Sequence, residues 1–145
     1  MTAKRYKTNC LCLQTRRADR VINRLYNSFI SKTGLQSTQY GLLRCISTLD
    51  NPCMADIGAA LCMDQTTVSR NLAKLEKAGF IFTFPSETDT RKANIRITQL
   101  GHEKLAEATL AWEQAQKTAK GKMGEEEFVQ LFNLLDKIVD ALDCV

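Results

Sequence analysis

The chain has 145 residues, 44% hydrophobic and 25% charged, with a formal net charge of +4, which suits one small core rather than two independent units. No apolar run approaches membrane-spanning length, and Met1 to Lys7 is polar and basic with no apolar signal core behind it, so a cytoplasmic protein is expected. The charge is unevenly spread: up to residue 32, Lys4, Arg5, Lys7, Arg16, Arg17, Arg20, Arg24 and Lys32 face only Asp19, whereas Glu125, Glu126, Glu127, Asp136, Asp140 and Asp143 near the end face only Lys122 and Lys137, an asymmetry that favours a polyanionic partner for one surface.

In chain order, Leu11, Ala18, Val21, Ile22, Leu25 and Phe29 trace one face of a first helix, which Gly34 interrupts. A second helix is expected from about Ser37 through Tyr40, Leu43 and Ile46, and Asn51-Pro52 is the next break. A short apolar helix, Met54 to Leu61, then turns into a second amphipathic segment that starts at Asp64, whose carboxylate suits the free N–H groups and the positive end of a helix. Gly79 ends that helix in a left-handed conformation. Phe80 to Phe84 and Ala93 to Thr98 form a hairpin around the turn-rich Pro85 to Lys92. Thr98 caps a long helix carrying Leu105, Ala108, Trp112, Ala115 and Ala119, which Gly121 and Gly124 end. The last helix opens with Glu125-Glu126-Glu127 and buries Phe128, Leu131, Phe132, Leu135, Ile138, Val139 and Leu142.

The chemistry is concentrated between residues 53 and 98. Val68, Leu72 and Leu75 recur at i, i+4 and i+7 and must face a core. Turning about 100° per residue puts Thr66, Arg70, Lys74 and Lys77 on the opposite side, with Thr67, Ser69 and Asn71 on the flanks. This face has no carboxylate, unlike an ordinary solvated helix face, which mixes both signs. Hydroxyls, an amide and an Arg reach base edges in a major groove, and Lys suits phosphate. Arg91 and Lys92 at the hairpin tip are placed for phosphates or a minor groove, and Asp89 is expected to hold the Arg91 guanidinium. The pattern is a winged helix-turn-helix that binds double-stranded DNA: mainly α, with a small β-hairpin wing and N- and C-terminal dimerisation helices. Residues 37–98 form the DNA-binding lobe of a single domain, 1–145. Residues 1–32 and 99–145 hold more apolar surface than so small a lobe needs, which fits a homodimer presenting two recognition helices to successive major grooves.

Leu35-Gln36-Ser37-Thr38-Gln39-Tyr40-Gly41-Leu42-Leu43, Met63-Asp64-Gln65-Thr66-Thr67-Val68-Ser69-Arg70, Asp89-Thr90-Arg91 and Ile97-Thr98-Gln99-Leu100-Gly101 together resemble the MarR family of bacterial winged-helix regulators, over nearly the whole chain from Leu11 to Leu142. The resemblance implies an obligate homodimer on a pseudo-palindromic operator, usually a repressor. It also implies release by a small ligand, often aromatic or phenolic, in a crevice between dimer helices and DNA-binding lobe, or by cysteine oxidation. The crevice would be lined by the first, second and fifth helices, with Arg16, Tyr26, Tyr40, Arg44 and Trp112 as its polar or aromatic wall. The family's organic-peroxide sensors carry a Leu-Cys-Phe pattern, which Leu11-Cys12-Leu13 matches in register. Tyr26 matches one of the tyrosines that hydrogen-bond the sensing thiol, while Arg16 and Ser37 stand where two more would be.

Of the six cysteines, Cys45 and Cys62 read as small buried hydrophobes, with Cys53 in a turn. Cys10 and Cys12, at the start of the first helix near Lys7, Arg16 and Arg17, are the candidate redox thiols. With His102 the only histidine, one chain supplies no tetrahedral metal set. A thiolate cluster requires Cys144 of one subunit to meet Cys10 and Cys12 of the other. No phosphate-cradling glycine loop and no nucleophile motif is present, so neither an enzyme nor a cofactor is expected.

Overall fold

A computed structural model describes residues 6–143. Helix α1 (Leu11–Ile30) runs through a 3-10 turn (Ser31–Thr33) to α2 (Ser37–Thr48), followed by α3 (Met54–Leu61) and α4 (Gln65–Lys77). Strands β1 (Ile81–Pro85) and β2 (Ala93–Ile97) follow, then α5 (Gln99–Met123) and α6 (Glu125–Leu142). The strands form an antiparallel hairpin in which Ile81 faces Ile97 and Phe84 faces Asn94. No helix among the described residues is long and apolar enough to cross a membrane.

The boundaries follow local chemistry. Asp64 accepts hydrogen bonds from the Thr67 backbone N–H at 2.9 Å and the Thr67 hydroxyl at 2.7 Å, which starts α4. Gly79, at φ +78, ends the helix. Thr98 Oγ1 accepts from the Gly101 N–H at 3.0 Å and donates to the Gly79 carbonyl at 2.6 Å, so one hydroxyl caps α5 and ties it to the end of α4. Gly101 has no alternative here, because a Cβ would lie 2.0 Å from the Phe80 carbonyl oxygen. Gly121 does not end α5 as expected; the helix continues to Met123 and stops at Gly124, which has φ +98. Open space around Gly121 and hydrogen bonding on both sides let a helix tolerate it at a modest propensity cost.

The core joins Ile30, Leu35, Leu42, Leu43 and Ile46 to Ile57 of α3, to Val68, Leu72 and Leu75 of α4, and to Ile81, Ile95 and Ile97 of the hairpin. Helix α5 adds Ala108. The last helix does not bury its apolar stripe within the subunit: no α6 residue is buried, and Phe132, Leu135, Val139 and Leu142 are exposed. Leu11, Val21 and Ile22 of α1 are exposed as well. The reason is geometric, since α5 and α1 flank α6 on one side and none of the described residues covers the other. Val21, Ile22 and Leu25 of α1, Met123 of α5 and Phe128, Leu131, Phe132 and Leu135 of α6 line an almost wholly apolar groove of about 310 Å³.

Candidate functional site

Burial of Val68, Leu72 and Leu75 turns the opposite side of α4 outward, and Thr66, Ser69, Arg70 and Lys74 are exposed there. Thr66, Ser69 and Arg70 border a shallow depression of about 440 Å³ together with Met54 and Gln65. Gln65 was not singled out in the sequence, although it lies one turn before Ser69 on the same face. Thr67 and Asn71 behave differently from the expectation for flanking readers. Thr67 is half-buried and gives both its N–H and its hydroxyl to Asp64, and Asn71 Nδ2 donates to the Thr67 carbonyl at 2.9 Å. Short polar side chains next to free helix-end groups bond locally, so this pair braces the start of α4. The Thr67 hydroxyl, then its N–H, holds the Asp64 carboxyl below its ordinary range. Glu76, the carboxylate of α4 itself, accepts from Thr83 Oγ1 of β1 at 3.0 Å.

The wing tip is a closed unit. Buried Ser86 accepts the Thr88 and Asp89 N–H groups at 3.3 Å each, and its own N–H donates to the Lys92 carbonyl at 3.0 Å. Asp89 does not hold the Arg91 guanidinium. Its Oδ1 accepts the Arg91 backbone N–H at 3.0 Å, because a carboxylate two residues upstream closes a turn onto the main chain. Arg91 and Lys92 remain exposed.

A cavity of about 540 Å³ lies between the helical layer and the lobe, bounded by Tyr26, Tyr40, Arg44 and Trp112 together with Ile30, Ser37, Gly41, Cys45, Thr48, Leu49, Ala60 and Leu61. Tyr40 stacks on Trp112 with ring centroids 6.3 Å apart, and the Arg44 guanidinium sits 4.4 Å above the same indole. Arg44 Nη1 donates to the Tyr40 hydroxyl at 3.1 Å, and among the described residues no carboxylate pairs with it. Arg16 is not part of this wall; it is exposed on α1, three turns before the end that reaches the cavity. The contribution of α3, through Ala60 and Leu61, was not foreseen, because sequence periodicity does not reveal which helix ends converge. Tyr26 donates to Gln116 Oε1 rather than to a thiol. Burial pushes the Tyr26 hydroxyl and the Cys45 thiol up from their ordinary values, so both stay protonated near neutrality.

Cys10 and Cys12 are exposed at the start of α1. Arg17 donates instead to the Tyr6 carbonyl at 2.6 Å and to Gln14 Oε1 at 3.1 Å. Cys62 is exposed rather than buried, because it takes the left-handed position, φ 50, that ends α3, whereas Cys53 is buried. Among the described residues no three His, Cys, Asp or Glu side chains converge as a metal site. The proposed cluster with Cys144 lies outside the described residues.

An exposed second helix followed by a basic hairpin, both seated on one core, defines a winged helix-turn-helix protein. The model of the MarR family matches residues 35–93. Over the whole length, the chain is similar to the Mycobacterium tuberculosis transcriptional regulator MosR, solved in complex with DNA: 25% identity, TM-score 0.84, covering 94% of this chain and 98% of that one. It also resembles a mutant MarR from Escherichia coli complexed with operator DNA, at 19% identity and TM-score 0.81, over 89% and 93% of the two chains. The PcaV transcriptional regulator from Streptomyces coelicolor, in complex with its natural ligand, gives 18% identity and TM-score 0.83, over 97% and 99%. No curated protein matches the sequence. Residues 35–93 thus carry a MarR-family match, and the chain as a whole shares the winged-helix fold of these transcriptional regulators.

Proposed function

We propose that this protein is a homodimeric, cytoplasmic DNA-binding transcriptional repressor that leaves a pseudo-palindromic operator when a small molecule occupies the cavity beside Trp112. The observation that carries the reading is the open face of Thr66, Ser69, Arg70 and Lys74, free of carboxylates and accompanied by the exposed Arg91 and Lys92 of a closed wing tip. Arg70 and the hydroxyls read base edges, Lys74 meets phosphate, and Arg91 tracks the minor groove. The exposed apolar stripes of α1 and α6 favour pairing of two copies, which sets two recognition helices roughly 34 Å apart. MosR and MarR solved with DNA, and PcaV solved with its natural ligand, are similar chains, which supports a DNA interface and a ligand site in this fold.

The cavity favours a planar aromatic anion. Tyr40 and Trp112 offer aromatic surface, and Arg44 offers a guanidinium over the indole with no carboxylate partner among the described residues. Such a ligand releases DNA only insofar as it binds the non-operator arrangement more tightly than the operator-bound one. Selection of bound genomic fragments at low ionic strength, then titration with the reduced, ligand-free protein, tests the reading. Arg70→Ala should weaken operator binding by about 1–3 kcal/mol, and Lys74→Ala should lower the salt slope by about 1. Affinity indifferent to salt would sink it.

A second reading makes release thiol-dependent, and the exposure of both Cys10 and Cys12 at the head of α1 favours it. Under organic peroxide the parent should then release DNA while Cys10→Ser and Cys12→Ser variants keep it. Equal behaviour of all three would remove the thiols from the mechanism.

A further inference from the structure

The loop between α2 and α3 links the cavity wall to the root of the wing. Its first residues follow Thr48 and Leu49, which line the cavity. Two positions on, Asn51 adopts a left-handed conformation at φ 47, one of only two non-glycine residues with positive φ among the described residues. Asn tolerates that region better than other non-glycine residues, yet the conformation still costs energy and needs surrounding contacts to hold it. Those contacts come from β2. Asn51 Oδ1 accepts both Arg96 Nε at 3.0 Å and Arg96 Nη2 at 2.7 Å, and Asn51 Nδ2 donates to Asp50 Oδ1 at 2.8 Å, which fixes the amide with its oxygen toward the guanidinium. The Arg96 guanidinium lies 4.7 Å from the centre of the Phe84 ring, so it is held from two sides. Main-chain contacts run alongside: the Ile95 N–H donates to the Pro52 carbonyl at 2.8 Å, and Cys53 bridges Asn94.

These attachments all land on residues 94–96 of β2, a few residues below Arg91 and Lys92. Because Ser86 and Asp89 close the tip into one hydrogen-bonded unit, the tip follows its root. We propose that Asn51 and Arg96 are positioning residues that couple occupancy of the cavity to the direction of the wing: displacement of Leu49 is passed through Asn51 to the Arg96 guanidinium and thereby to the DNA-contacting tip. This rests on reading the cavity as the effector site. A two-state element biased from both ends is the physical requirement for such coupling.

The test fills the cavity without needing its ligand. Gly41 lines the cavity, and a Cβ there meets nothing within 4 Å, so Gly41→Phe supplies an aromatic occupant. The emission of Trp112, the only tryptophan, reports that the space is filled. Amide hydrogen exchange of residues 86–97 is then measured on the full chain in four backgrounds: parent, Asn51→Gly, Asn51→Asp and Arg96→Gln. Gly41→Phe should change wing exchange on the order of threefold or more in the parent. It should do so again with Asn51→Asp, whose carboxylate accepts both guanidinium N–H groups, and should leave the wing unchanged with Asn51→Gly and Arg96→Gln. An equal response in all four backgrounds, or a shifted Trp112 emission with no wing response in the parent, overturns the proposal. Ala60→Phe fills the same space from the opposite wall if Gly41→Phe does not fold. No DNA enters the measurement, so failure here is distinct from failure of operator binding.

Discussion

Helices α4 and α6 carry the same kind of apolar stripe and meet opposite fates. In α4, Val68 and Leu75 are 0% exposed, locked between α2, α3 and the hairpin. In α6, Phe132 is 46% exposed, Val139 47% and Leu142 54%. A stripe with a 3.6-residue period states that a face is to be buried, and it does not state whether the covering surface comes from the same chain. The contrast separates a lobe whose apolar stripes are covered within the chain from a terminal helix whose stripe lies open, as the proposed pairing of two copies requires.

The largest effect expected from this contrast is on assembly. Phe132→Glu with Val139→Glu places two charges on the open face, twice over in a symmetric pair, where each apolar side chain would otherwise contribute about 1.5–3 kcal/mol. Sedimentation should show a folded monomer, and operator affinity should fall about 100-fold or more as the two half-sites become independent. A dimer of unchanged affinity would make the exposed stripe mere surface. Next in size, Leu75→Ala should destabilise the lobe by about 2–5 kcal/mol at any protein concentration. Loss of stability in Leu135→Ala should instead deepen on dilution, and urea titrations at two protein concentrations distinguish the two regions.

The smallest effect sharpens the comparison within the lobe. Hydrogen bonds from Thr67 to Asp64, and from the Cys53 backbone to Asp56, hold both carboxyls below their ordinary range. Each therefore contributes stability that is present at neutral pH, declines once pH falls into the ordinary carboxylate range, and is gone below the lowered folded-state value. Urea midpoints followed from neutral to acid pH should show a shallower decline for Asp64→Asn, whose amide still caps the helix without titrating.

The order of elements was legible because local signals agreed with one another. Asp64 and Thr98 cap their helices, Gly79 is left-handed, and the hairpin runs close to its expected limits. Gly121 misled because a glycine weakens a helix without ending it when its neighbours remain hydrogen-bonded. Four of the five residues expected around the crevice do share a cavity, since they sit near crossing helices; Arg16 does not, because spacing along α1 carries no information about where that helix crosses α2 and α5.

Residue order by itself determined the caps, the stripe of α4 and the polar character of its opposite face, since hydrogen bonding within a few residues and a fixed helical period need no distant partner. Only the tertiary structure decided that Ala60 and Leu61 of α3 join the cavity wall, that the apolar stripe of α6 lies open, and that Asn51 clasps Arg96 forty-five positions away. Those outcomes depend on which surfaces come into contact when the elements pack, and a short polar side chain bonds to whatever donor or acceptor that packing brings within reach.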